Sequence, residues 1–281
     1  MSDTDATPAR LVVLTTGGTI ACTTDRQGHL LPTLDGESLV RPIADRFPAG
    51  SVEVEVREVA HLDSASMTLA EVDELNAVIH EVFADPSVDG IVVTHGTDSM
   101  EETAMAVDVF HADERPVVFT GAQKPADHPE ADGPNNLFEA MVVAMDASAR
   151  GIGVLIVFGH AVLPVRGAVK WHTTDELGFA TNAPEDPVRP APLPLKELSD
   201  VRVDIIAAHA GSDGTFVDAA VDAGAAGLVV EGMGAGNVGT DMAAAIGRAL
   251  EADLGRADDR AKVIEFLSGD GAAYVTGHTI P

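Results

Sequence analysis

Three short strings place hydroxyl, acidic and glycine residues just where an apolar run stops: TTGGTI at 15–20, THGTDSMEET at 94–103 and TGAQKPADHPEADGPNNL at 120–137. A fourth, VLPVRGAVKWHTTD at 162–175, carries Lys170 in a chain whose other lysines are Lys124, Lys196 and Lys262. Two adjacent glycines let the backbone turn sharply at a strand end and present Thr19 beyond the sheet edge, although a threonine there is ordinarily only a turn residue. In the second string, Asp98 and Glu101 have the spacing of a capping box, which by itself explains both residues. The same helix start supplies unpaired N–H groups and positive dipole potential beside Thr97 and Asp98, a corner suited to an oxyanion or, through Asp98, to an ammonium group. Lys170 is by default a solvated surface lysine. Set beside Thr97 and Asp98, with Trp171 helping to exclude water, it would instead accept a proton from a hydroxyl.

Other chemistries lack their residues. The nucleotide-binding patterns GxGxxG and GxxxxGK[ST] are absent, as are HExxH and the GxSxG elbow. None of the ten histidines has zinc-ligand spacing, and the single Cys22 rules out thiolate cages and internal disulfides. Threonine is left as the candidate nucleophile, and neither a metal nor a cofactor is expected.

The elements that must hold these residues are legible as alternation. Apolar runs at 11–16, 90–95, 116–121 and 153–158 lack a polar face, as strands covered on both sides do, whereas VEVEVREV at 52–59 alternates strictly and reads as a half-exposed edge strand. Thr68 and Glu71 form a capping box opening a helix, with Met67, Val72, Leu75, Ile79 and Val82 at helical spacing. Further helices are expected after Asp98 and near Pro134. Strand followed by helix, repeated, predicts an α/β fold: a doubly wound, mostly parallel sheet of Rossmann or flavodoxin-like type, whose ligands sit at the carboxyl ends of the strands, where the three strings fall. The expected organisation is an N-terminal catalytic domain over 1–182, a proline-rich linker over 183–200 and a smaller α/β domain over 201–281.

The chain has 281 residues, 45 acidic against 17 basic, for a net charge of −28. Such a surface repels phosphates, so neither nucleic acid nor an anionic membrane is an expected partner. There is no apolar run of spanning length and no signal-peptide core in MSDTDATPAR, so a cytoplasmic protein is expected.

Taken jointly over 11–254, in order and spacing, the four strings resemble the bacterial-type L-asparaginase and glutaminase family. The resemblance implies an amidohydrolase acting on L-asparagine, with glutamine as a possible second substrate, through a threonine acyl-enzyme. It implies Thr19 as primary nucleophile and Thr97, Asp98 and Lys170 as the supporting group. Asp98 would hold the substrate α-ammonium, Ser64 the α-carboxylate, and Gly18, Gly96 and Thr97 would line the pocket. Backbone N–H groups at Gly17–Gly18 and Gly96–Thr97 are the candidates for the oxyanion. The resemblance further implies a homodimer or homotetramer in which Asn237, in GAGN, is presented across the subunit interface.

Three departures from the family pattern stand out. The segment 21–32, ACTTDRQGHLLP, lacks the tyrosine that family members carry near the nucleophile, and the only tyrosine is Tyr274. Thr23, Thr24 and His29 are the candidates to replace it, and failing that the chain reads alternatively as a non-catalytic asparagine- or aspartate-binding protein. Ala65 follows Ser64, where some members have a polar residue. Finally, the stretch from about 255 to 281 resembles the tail of a short-chain dehydrogenase, without that family's glycine-rich turn or YxxxK pair.

Overall fold

The computed structural model describes residues 7–182 and 189–251. The atypical tail and Tyr274 lie outside the described residues. The described residues fall into two compact units divided between Glu197 and Leu198.

The first unit begins with β1 (Ala9–Gly17), the hairpin β2 (Cys22–Thr24) and β3 (Leu30–Pro32), α1 (Gly36–Ala44) and β4 (Val52–Leu62). It continues through α2 (Leu69–Phe83), β5 (Gly90–Thr94), α3 (Met100–Phe110), β6 (Val117–Thr120), α4 (Gly133–Met145), β7 (Val154–Phe158), β8 (Ala161–Pro164), β9 (Ala168–Lys170) and β10 (Phe179–Thr181). The central sheet has the order β4-β1-β5-β6-β7-β8. Its pairs are parallel except the last, β7 with β8. β4 stands at one edge, as its alternating sequence predicts. The chain runs from β1 outward to β4 and then returns to β5 on the other side of β1, so the strand order reverses between β1 and β5. In an open α/β sheet that reversal opens a crevice beyond the carboxyl ends of the two strands.

Side-chain alternation along β1 divides the core. Val12 and Leu14 join Leu75, Ile79 and Val82 of α2 and Met100, Ala104 and Val107 of α3 on one face. Leu11 and Val13 join Val40 and Ile43 of α1 and Leu137, Ala140 and Met141 of α4 on the other. Helices on both faces explain why β5, β6 and β7 are buried along their whole length. The capping box at Thr68 and Glu71 is present, and Thr68 N–H donates to the Glu71 carboxylate at 2.7 Å.

Some local expectations are corrected. Asp98 does not cap α3: the N-cap is Ser99, without a side-chain cap bond, and the Ser99 hydroxyl donates to Ser64 O at 2.7 Å. The string that carries Lys170 includes the end of β8 and all of β9, of which Lys170 is the last residue. Residues 189–197 of the expected linker belong to the first unit. Arg189 donates through Nε to Asp108 Oδ1 (3.0 Å) and through an Nη to His111 O (2.6 Å), and Leu193 N–H reaches Val109 O at 2.8 Å.

The second unit holds β11 (Val203–Ala207), α5 (Thr215–Asp222), β12 (Gly227–Glu231) and α6 (Thr240–Glu251). Its two strands pair in parallel, and Ile206, Val217, Ala220, Met242 and Ala245 form its core. Here too strand and helix alternate.

Candidate active site

The carboxyl ends of β1 and β5 meet backbone to backbone. Gly17 and Gly18 adopt φ of +100° and +81°, and Gly18 N–H donates to Leu62 O at 3.2 Å. A Cβ on Gly18 would lie 2.5 Å from Gly96 N and 2.6 Å from Gly96 Cα. A Cβ on Gly96 would in turn overlap the Ser64 hydroxyl and approach Ser64 Cβ to 2.7 Å. Glycine is therefore required at both positions by close approach, and three pocket residues expected from sequence, Gly18, Gly96 and Ser64, are stacked in one contact series.

Thr19 follows directly, at the start of a short 3-10 turn, Thr19–Ala21, and is half-buried. Its hydroxyl has no hydrogen-bond partner among the described residues. On the turn after β5, Thr97 Oγ1 accepts from Lys170 Nζ at 2.9 Å and Asp98 Oδ1 accepts from it at 2.7 Å. The Lys170 side chain is 19% exposed and Asp98 58% exposed, so the lysine is sheltered while the carboxylate faces outward. Lys170 is thus not the solvated surface lysine of the default reading.

Ser64 is buried at the end of β4, in a turn started by Asp63, whose carboxylate accepts from Ala65 N–H. Its Oγ accepts the Asp98 N–H at 3.1 Å, which leaves the Ser64 O–H proton free to donate. The turn Gly96–Thr97 has neither helical nor strand bonding, and the N–H groups of both residues are unpaired among the described residues. Gly18 N–H, by contrast, is committed to Leu62 O and is withdrawn from the oxyanion candidates.

His95 stands immediately behind this turn, fully buried, and sequence reasoning passed it over. Its Nδ1 lies 2.7 Å from Gly96 O, which assigns the proton to Nδ1 and leaves Nε2 as a buried unpaired acceptor. Burial holds its pKa below the ordinary histidine value, opposed by the bond to Gly96. Fixing Gly96 C=O against the ring also fixes the peptide plane that carries Thr97 N–H.

One expectation fails. Trp171 is 75% exposed and dries nothing. None of the substitutes for the missing loop tyrosine bonds to Thr19. Thr23 Oγ1 pairs with Thr33 Oγ1 at 2.9 Å, Thr24 is held by the Asp127 carboxylate through N–H (2.9 Å) and hydroxyl (3.3 Å), and His29 is exposed and paired with Asp25. Asn237 belongs to the second unit, where its N–H and C=O bond to Met233 across a tight glycine turn, each at 2.8 Å. Among the described residues no His, Cys, Asp and Glu cluster is arranged to hold a metal ion, and no helix is long and apolar enough to cross a membrane.

Known proteins match the chain along most of its length. The family model "Asparaginase, N-terminal" matches residues 10–189, and "Glutaminase/Asparaginase C-terminal domain" matches residues 202–254. An L-asparaginase of Bacillus licheniformis is 34% identical over 257 residues, covering 86% of this chain and 78% of the relative. L-asparaginase 2 of Escherichia coli is 33% identical over 256 residues, covering 81% and 71%. Among solved structures, that of a probable cytoplasmic L-asparaginase from Campylobacter jejuni superposes with a TM-score of 0.79 at 28% identity, over 87% of this chain and 81% of that one. With both of its parts matched by the family's models, and the four strings lying at the ends of β1, β5, β6 and β9, the chain belongs to the asparaginase family.

Proposed function

We propose that the protein hydrolyses L-asparagine to L-aspartate and ammonia, with Thr19 as nucleophile. Three observations support this reading together: the hydrogen-bonded group Thr97–Lys170–Asp98, a Thr19 hydroxyl without a partner among the described residues, and the Gly18–Gly96 backbone contact that joins the two turns. Naming of the relatives as L-asparaginases supports the substrate.

An amide carbon is a poor electrophile, so two acyl-transfer steps replace one difficult hydrolysis. In the first, Thr19 Oγ bonds to the side-chain carbonyl carbon, the C–N bond breaks, and ammonia departs with the proton given up by the threonine. In the second, water adds to the ester, the bond to Thr19 Oγ breaks, and a proton returns to Thr19. Thr97 and Lys170 are the groups that relay these protons, with Nζ 2.9 Å from Thr97 Oγ1. The unpaired N–H groups of Gly96 and Thr97 are the donors for the tetrahedral oxyanion, each worth ~3 kcal/mol in comparable sites. Asp98, outward-facing and negative, holds the α-ammonium, and the free Ser64 O–H donates to the α-carboxylate. One methylene separates asparagine from glutamine, worth ~1–3 kcal/mol in a pocket, so a lesser glutaminase activity belongs to the same proposal.

The single-chain site is open on the Asp98 side. We therefore propose a homodimer or homotetramer in which Asn237 of a neighbouring subunit completes it, working in the cytoplasm as the Campylobacter protein is named to do. Light scattering tests the assembly. For the activity, ammonia release is measured with both amides on wild type and Thr19→Ala. Release by wild type and its loss in a folded variant is the expected result; asparagine binding without turnover by wild type would replace hydrolysis with the binding-protein reading.

A further inference from the structure

Lys170 is tied to the N-terminal end of α3 twice. Its Nζ reaches Thr97 and Asp98, and its backbone N–H donates to the Glu101 carboxylate. Trp171 N–H crosses the β9–β10 ladder to Gly178 O at 2.8 Å, so the preceding Lys170 N–H points to the opposite side, toward α3. Unpartnered, it would be an open edge donor. Glu101 occupies the first turn of α3, yet that turn has no side-chain cap, and the carboxylate spans to β9 instead. Glu101 bonds to neither Thr97 nor Asp98. Burial and the neighbouring Glu102 push its carboxyl upward, while the Lys170 N–H and ammonium hold it down. Thr97, Asp98 and Glu101 lie within one short stretch leading into a helix. The reach from the Lys170 backbone to its two Nζ partners is therefore set by a rigid span.

We propose that Glu101 is a positioning residue: it anchors the Lys170 backbone to α3, so that Nζ stays within hydrogen-bond distance of Thr97 and Asp98. The inference rests on the hydrolytic reading above and makes its own demand, that everything Glu101 does for turnover passes through Lys170. It also requires an acceptor of the right length, not a charge. Glu101→Gln keeps an oxygen at the same reach; Glu101→Asp keeps the charge and loses the reach.

The test compares kcat and KM for asparagine in wild type, E101A, E101Q, E101D, K170A and E101A/K170A, with amide hydrogen exchange at Lys170 read in the same full-length proteins. E101A and E101D are expected to lose kcat by about tenfold or more, as a displaced catalytic group does, with KM changed far less. E101Q should stay within about threefold of wild type, and E101A should add no loss in the K170A background. Slow Lys170 amide exchange in wild type and E101Q and fast exchange in E101A and E101D complete the expected pattern. Equal losses from E101A with and without Lys170, wild-type kcat in E101A, or E101D behaving as wild type would overturn the proposal. Should wild type release no ammonia, the hydrolytic reading falls, and the exchange data alone decide the anchor. If E101A does not fold, the contrast between E101Q and E101D carries the same decision.

Discussion

Gly18→Ala perturbs the site at its tightest backbone contact. A Cβ there meets Gly96 N at 2.5 Å, whereas ordinary contact begins at 3.4 Å, so the two loops must part by about 0.9 Å (3.4 − 2.5). Neither neighbour can yield by rotating a side chain, because both clashing atoms belong to the backbone. The displacement falls between Thr19 and Thr97, and a misplacement of ~1 Å in an active site costs on the order of 100-fold in rate, or about 2.7 kcal/mol. Gly18 also has φ +81° and ψ 176°, a region essentially reserved for glycine, which adds ~1–3 kcal/mol of strain and a lowered melting midpoint. Gly50→Ala separates the two effects. Gly50 has φ +76° with nothing within 4 Å of the added Cβ, so it carries strain without displacement and should cost stability alone. Steady-state ammonia release, with thermal melts of both variants, reads the difference. Wild-type kcat/KM in Gly18→Ala, or a comparable loss in Gly50→Ala, would refute the reasoning.

Three further outcomes are expected. Ser64→Ala removes the acceptor of the Asp98 N–H as well as the free hydroxyl; a hydrogen bond to a charged group is worth ~1.5–3 kcal/mol, so KM for asparagine should rise roughly 10- to 100-fold in initial-rate measurements, with kcat less affected. Asp108, 1% exposed, faces Arg166 Nε at 2.7 Å, off the hydrogen-bond axis, and bonds Arg189 Nε at 3.0 Å; Asp108→Ala strands two sheltered guanidinium groups and should cost about 3–5 kcal/mol in urea titrations. His95 and His111 both have pKa values lowered chiefly by burial. The unfolded chain then binds more protons than the folded one below the free histidine value of about 6.5, so melts should show stability lost as pH falls through that point toward the depressed folded values, and unchanged by these groups above it.

Much of this arrangement was legible in the sequence because it depends on local, physically strong signals. Continuous apolar runs announced β1, β5, β6 and β7, since a strand covered on both faces has no position for a polar side chain. VEVEV announced an edge because one of its faces is wet. The adjacent glycines before Thr19 declared a turn, although what they make room for, the Gly96 backbone, is a contact between residues far apart in the chain. The remainder was hidden for similar reasons. Glu101 had a satisfactory local role as a capping partner of Asp98, and only the fold shows its carboxylate turned to Lys170 instead. α1 carries Pro42 in its interior, and Asp35 caps it by accepting the Ser38 N–H at 2.7 Å. β8 and β9 are four and three residues long, too short to show a period. Trp171 looked like a desolvating group on residue type alone, and its exposure depends on packing that no neighbouring residue encodes.

The most direct test of the central claim is to identify the residue that becomes acylated. An asparagine analogue bearing an electrophilic diazoketone in place of the side-chain amide should label the protein once per active site, with loss of ammonia release, and peptide mass spectrometry should place the adduct on Thr19. An adduct on Thr97, or inactivation with Thr19 unmodified, would contradict the account.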